Sequence, residues 1–204
     1  MKHATTRQLH QYWNELRGLR AAPERDSIEP GAIANILPDV FILETDAALT
    51  FPFRVSGART NALFDAQLKG HPFLGLWRQA DRQSVQAMLL TVLDGACPMI
   101  AGVRAAPEGY PGVEMELLLL PLRLHGKTHA RLLGCLSPAR HPHWLGLLPA
   151  TSLELVSMRV VRADRDVFPL PARDADRPAD RGFATAGRRP RLTVYEGGRA
   201  TERT

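Results

Sequence analysis

The stretch from Val113 to Leu124 constrains this chain more than any other part of it. It opens by alternating, with Val113, Met115 and Leu117 set against Glu114 and Glu116, and from Leu117 to Leu120 every position is apolar. Alternation is the period of a β-strand, and an antiparallel strand that turns apolar on both sides needs cover over both faces of its sheet. Glu114, Glu116 and Arg123 interrupt the run, which falls far short of the ~20 apolar residues that span a bilayer. One sheet therefore has to be packed on both sides.

The N-terminal segment supplies one cover. Leu9, Tyr12, Trp13, Leu16 and Leu19 recur at three- and four-residue steps, which predicts a helix with a single apolar stripe, ended by Gly18 and Pro23. Laid over the outer face of the sheet, Leu9, Trp13 and Leu16 meet Leu118 and Leu120, either from the same chain or from a partner. Homodimerisation through this surface is the expectation. The other face calls for a longer helix, Arg78 to Asp94, whose apolar side carries Val85, Met88, Leu89, Val92 and Leu93 and which Gly95 stops.

The remaining elements follow from local chemistry. Ser27 and Pro30 predict a short helix carrying Ile33, Ile36 and Leu37. Strands are expected over Asp39 to Thr45 and Thr50 to Gly57, joined by a short Asp46-Ala47-Ala48 loop, with Phe51, Phe53 and Val55 alternating against Arg54 and Ser56. Small helical pieces, Arg59 to Phe64 and Phe73 to Trp77, precede the long helix. Strands over Met99 to Ala105, Val113 to Leu124 and Ala130 to Pro138 finish the body, with turns at Pro107-Glu108-Gly109 and His125-Gly126-Lys127. A final helix is expected over Ser152 to Arg162. Strands at both ends of a helical middle make an α+β fold, a five-stranded antiparallel sheet with helices across one face and the N-terminal amphipathic helix.

Charge divides the chain. It has 204 residues and a net charge of +5, but Arg162 to Thr204 hold 10 Arg and 7 acidic residues, so three of the five charges belong to that segment. The expected organisation is a flanking helix over 1–24, a domain over 25–160 and a mixed-charge flexible tail over 161–204, with a short strand at 191–196. Asp164, Asp166, Asp174, Asp176 and Asp180 interleave the tail arginines, which argues against nucleic-acid binding and for a polyampholyte. The 23 Arg against 3 Lys read as coding bias. Met1 to Gln8 show no signal-peptide pattern, and Cys97 and Cys135 form no disulfide framework or Cys-x-x-Cys pair, so a reducing cytoplasm is expected.

The order of elements is that of a PAS domain. Arg25-x-x-Ile28-Glu29-Pro30, Leu37-Pro38-Asp39-Val40-Phe41-Ile42-Leu43 and Phe53-Arg54-Val55-Ser56-Gly57 resemble the PAS_5 family of bacterial proteins. So do Leu63-Phe64 with Leu68-Lys69-Gly70, Phe73-Leu74 with Leu76-Trp77, Arg131-Leu132-Leu133-Gly134, and the terminal Leu192-Thr193-Val194-Tyr195-Glu196-Gly197-Gly198. The chain departs from the family pattern at Gly57-Ala58, where Gly-Thr is favoured, and so lacks a hydroxyl there. The resemblance implies a sensory or regulatory module that holds a small ligand between sheet and helices and signals through dimer or protein contacts, with a regulatory protein as partner.

Arg54, Trp77, Met88 and Met115 are the candidate ligand contacts. The arginine lies mid-strand among apolar neighbours and either pairs with a carboxylate or reaches an anionic ligand. A haem-binding PAS domain needs an axial histidine, most often on the long helix, and Arg78 to Asp94 has none. A flavin photoreceptor needs a reactive cysteine where Arg59-Thr60-Asn61-Ala62-Leu63-Phe64 has Ala62. Neither cofactor is expected. His141-Pro142-His143 reads as a solvent-facing loop, not half of a metal site. No Gly-x-Ser-x-Gly, Walker loop, Gly-x-Gly-x-x-Gly or His-Glu-x-x-His motif appears, so no catalytic residue is expected. The alternatives are a small-molecule-converting enzyme on the same scaffold and a nucleic-acid binder acting through the tail.

Overall fold

The computed structural model describes residues 1–161, without the side chains of residues 128 and 129. Met1–Asp164 form one compact unit; a second, Arg165–Thr204, lies outside the described residues, as do the mixed-charge tail and the strand expected at 191–196.

Three helices and six strands make up the unit: α1 (Ala4–Arg17), β1 (Val40–Glu44), β2 (Phe53–Ser56), α2 (Ala58–Phe64), α3 (Arg82–Gly95), β3 (Met99–Ala106), β4 (Val113–Leu124), β5 (Lys127–Pro138) and β6 (Ser152–Val160). The sheet is antiparallel throughout, in the order β2-β1-β5-β4-β3-β6. The central place of β4 is the one its doubly apolar stretch demands. His125 and Gly126, at φ 51 and 80, close the β4–β5 hairpin with two positive-φ residues, as a tight primed turn requires.

The strand parity of β4 sorts the core into two layers. Met115, Leu117 and Leu119 face α3 with Val85, Met88, Leu89, Val92 and Leu93. Leu118, Leu120 and Leu122 face the other way, into a layer with Leu9 and Trp13 of α1, Ile33, Ile36 and Leu133. Trp13 also donates its indole N–H to the Pro121 carbonyl at 2.8 Å, which fixes the helix along β4. Leu16 packs on this layer from a half-buried position. The cover over the outer face thus comes from the chain's own helix, and Leu9 and Trp13 are used up within one copy. Leu19, placed on the stripe by spacing, lies beyond Gly18 and is fully exposed, because that glycine ends the helix at φ 54.

Four expectations need correction. The sheet has six strands, not five, because Ser152 to Val160 form β6 and not a helix. Its apolar positions suit either period, and the free edge of β3 offers a ladder of hydrogen bonds that decides for the strand. The short helix after Ser27 is a series of 3-10 turns, Arg25–Ser27, Pro30–Ile33 and Leu37–Asp39, with Ile33 and Ile36 buried and Leu37 exposed. Asp46-Ala47-Ala48 is part of a longer loop, held by the Asp46 carboxylate, which accepts from the Thr50 N–H at 2.7 Å and the Thr50 hydroxyl at 2.6 Å.

The fourth correction concerns β2. Ile42 stands opposite Val55 and Leu43 opposite Phe53, so Arg54 is an extra residue in a bulge. The bulge breaks the alternation: Phe53 stays buried while Val55 turns to solvent.

Candidate functional site

A bound group affects a fold only where it touches an element that can shift between two states. Two places qualify. The first is the space between the sheet and its helices. Phe41 of β1, Phe53 of β2, Phe73 and Trp77 run through it as a chain of rings, with successive centroids 5.5 to 5.7 Å apart and mostly edge-on. Gly134 of β5 stands opposite Phe41 and leaves room for its ring, which a Cβ there would strike. Met88 on α3 packs in the same layer. Trp77 is buried to 1 %, and its Nε1–H meets no acceptor among the described residues. Such an N–H carries the cost of desolvation unless a water or a ligand atom accepts it.

The second place is polar and lies where the Leu37–Asp39 turn, α2 and the segment after β5 meet. Gly57, the N-cap of α2, is pressed against the backbone of the turn; a Cβ there would come within 2.5 Å of the Leu37 carbonyl oxygen and closer still to that of Pro38. This close approach seats α2 over Asp39. The Arg59 Nε lies 2.9 Å from Asp39 Oδ1, and the Arg59 Nη1 donates to His141 Nε2 at 3.2 Å. Because a guanidinium only donates, His141 is held with Nε2 as acceptor. The Asp39 side chain is 3 % exposed. Burial pushes its carboxyl above the usual carboxylate range, against the opposing pull of the Arg59 guanidinium.

A cleft of about 450 Å³ opens over this cluster, bordered by Lys2, His3, Gln8, Asn35, Arg59, Ser137 and His141. Gln8 and Asn35 exchange two amide hydrogen bonds of 2.9 Å across its rim. Lys2 and Arg59 line the cleft together with the buried carboxylate of Asp39, and His3 and His141 add imidazoles. This is the donor set for a small carboxylate or phosphate. The start of α1 forms one wall, and Glu116 of β4 clamps it there. The Glu116 carboxylate accepts from the N–H groups of Lys2 (2.9 Å) and His3 (3.0 Å) and from the Thr6 hydroxyl (2.5 Å). Burial raises its pKa, but these hydrogen bonds outweigh burial and leave it below its ordinary value. They also satisfy N–H groups at the start of the helix that the fold otherwise leaves open.

Of the four ligand contacts expected from the sequence, Trp77, Met88 and Met115 share one core layer, and Met115 also lines a separate small crevice beside Asp39, Arg59 and His141, outside the cleft. Arg54 stands apart on the exposed bulge of β2, with no ion-pair partner among the described residues. Asp39, Arg59, His141 and Glu116 were not singled out as site residues by sequence. The signal for Asp39 was a lone carboxylate at the mouth of the apolar Val40–Leu43 run; nothing in the spacing links it to residues 59 and 141. Among the described residues no group of three or more His, Cys, Asp or Glu is placed to hold a metal ion, and no helix is long and apolar enough to cross a membrane.

The six-stranded sheet, the helical middle and the covering N-terminal helix agree with the family comparison, in which the PAS_5 family, a PAS domain, matches residues 1–137. The chain belongs to the PAS_5 family. As such it is in general terms a sensory or regulatory module. No curated protein matches it. Among solved structures it is similar to the PAS domain of a protein from Colwellia psychrerythraea, at 13 % identity and a TM-score of 0.40, over 52 % of this chain and 92 % of that one. It is also similar to an RNA-binding light-oxygen-voltage receptor, at 13 % identity and a TM-score of 0.41, over 57 % of this chain and 35 % of that one.

Proposed function

We propose that this PAS_5 domain is a non-catalytic regulatory module of the cytoplasm that binds a small anion in the cleft over Asp39 and answers through contacts with a partner protein or a second copy. The observation that carries the reading is the convergence of Lys2, Arg59 and His141 on one cleft whose wall is the start of α1. An anion there competes with Asp39 for the Arg59 guanidinium and pulls on Lys2, at the point where Glu116 holds the helix down. Occupancy is thereby coupled to the docking of α1 over the sheet. Such coupling is the minimum a sensor needs, a ligand that interacts differently with two states of one element.

A second place for a ligand is favoured by the unpartnered Nε1–H of Trp77, which suits an apolar molecule with one acceptor lodged among Trp77, Met88 and Met115. Native mass spectrometry of freshly purified protein, followed by calorimetric titration with small carboxylates and phosphate esters, separates the two. Binding that weakens in Arg59→Gln supports the cleft. Binding unaffected by that change but lost in Trp77→Phe moves the site inside. Turnover of a bound molecule would overturn the regulatory reading in favour of an enzyme.

A further inference from the structure

We infer that the cleft between the β3–β4 hairpin and the start of β6 is a second binding site, built for the phosphate of a small phosphate monoester. It encloses about 470 Å³ and is lined by Arg78, Arg104, Tyr110, Thr151, Ser152 and Glu154, within the size range of small-molecule sites. None of these residues borders the cleft over Asp39, so the inference goes beyond the proposed function and stands without it. The lining holds two guanidiniums against one carboxylate, and Tyr110, Thr151 and Ser152 add hydroxyl groups.

Both arginines are mounted on the sheet. Arg104 lies on β3 between Glu114 of β4 and Glu154 of β6. Arg78 belongs to the segment that runs along the outer edge of β6. Its N–H donates to the Leu153 carbonyl at 3.0 Å, Trp77 bridges Leu153, and the Leu155 N–H donates to Asp81 Oδ2 at 3.0 Å. The two guanidiniums meet at one atom: Oε2 of Glu154 lies 3.0 Å from Arg78 Nη1 and 3.8 Å from Arg104 Nη1. Arg104 is left short of acceptors. Its approaches to Glu154 and Glu114, at 3.8 and 4.0 Å, exceed hydrogen-bond length, and its guanidinium makes no hydrogen bond to a described residue. Yet the side chain has a fixed place, because it lies across Gly112, where a Cβ would stand 2.6 Å from its Cδ and 2.7 Å from its Cγ. A placed guanidinium with unused donors binds an anion at little further ordering cost. One such fork satisfies a planar carboxylate, whereas the three free oxygens of a phosphate monoester can be shared between two guanidiniums and a hydroxyl. Ala106, Pro107 and the Tyr110 ring add apolar wall that inorganic phosphate would leave unused.

Calorimetric titration of the full chain with ribose 5-phosphate, AMP and inorganic phosphate tests this. At least one of the two monoesters is expected to bind more tightly than inorganic phosphate. Arg104→Gln should weaken that binding about ten- to a hundredfold. Gly112→Ala leaves every charge in place but takes the space in which Arg104 lies, and should weaken it about three- to tenfold. Glu154→Gln removes the competing negative charge and is expected to tighten binding about threefold, a gain that a damaged fold would not give. No binding of either monoester, equal affinity for inorganic phosphate, or binding indifferent to Arg104→Gln overturns the inference. Binding lost in Arg59→Gln and kept in Arg104→Gln overturns it too and assigns the anion to the cleft over Asp39. The reverse pattern supports this site, so the two proposals fail separately.

Discussion

The hydroxyl of Thr6 in α1 donates a 2.5 Å hydrogen bond to the carboxylate of Glu116 in β4, between residues 110 positions apart in sequence. Both groups are buried, and the same carboxylate holds two backbone N–H groups at the start of the helix. One side chain of the sheet thus caps the helix that covers the sheet.

Removing the carboxylate takes the shared acceptor from the part-buried N–H groups of Lys2 and His3, while Thr6 keeps the His3 carbonyl. Glu116→Leu is expected to cost about 1–3 kcal/mol of unfolding free energy and to release the first turn of α1 to fast hydrogen exchange. Thr6→Val should cost less, because Glu116 keeps its two backbone donors. Denaturant titration with exchange mass spectrometry checks both.

The depressed pKa of Glu116 gives its contribution a pH window. A folded-state value below the unfolded one means that the stability is fully present above the ordinary 4.5 and is lost as pH falls through the lower folded value. Stability curves of wild type and Glu116→Gln should therefore converge toward acid and separate toward neutral pH. Parallel curves would show that the carboxylate carries no charge-dependent role.

Asp39 behaves in the opposite sense. Burial holds its carboxyl high, and Arg59 is the counter-charge that keeps it ionisable. Arg59→Met leaves a buried carboxylate without its partner and is expected to cost about 1–3 kcal/mol near neutral pH, the half-open side chain of Arg59 keeping the figure below that of a fully buried pair. Because protonation neutralises Asp39, the loss should shrink as pH falls and grow as it rises. Asp39→Asn should show the smaller and flatter loss.

Two glycines allow a packing test. Gly57→Ala drives a Cβ into backbone oxygens that cannot swing away, and Gly134→Ala drives one into the Phe41 ring. Each is expected to cost about 1–3 kcal/mol. Gly31→Ala, at a position with nothing within 4 Å of the new atom, is the control and should stay near neutral. Thermal unfolding of the three variants decides whether close approach, and not glycine content, is what matters.

The elements that local periodicity describes were legible: α1 from the recurrence of Leu9, Trp13 and Leu16, and the central place of β4 from its change of pattern at Leu117. What failed did so where a neighbour decided the outcome. Ser152 to Val160 fit two periods, and the open edge of β3 chose one. Arg54 read as an arginine paired with a carboxylate or an anionic ligand, and the bulge that places it on the exposed side of β2 leaves no mark in a four-residue strand. Asp39, Arg59 and His141 come from a turn, a helix and a loop, and only the seating of Gly57 against the turn brings the first two together. No spacing rule spans such a cluster, so the site was the least readable part of the chain.

Lys2 and His3, at the start of the unit, line one outer-face groove with Ser157, Met158 and Arg159 near its end. The two ends of the fold are neighbours, so the unit can be circularly permuted or spliced into a loop of another protein without stretching either. That makes it a portable insert: a reporter split between its two ends would read any change in the distance from the start of α1 to the end of β6.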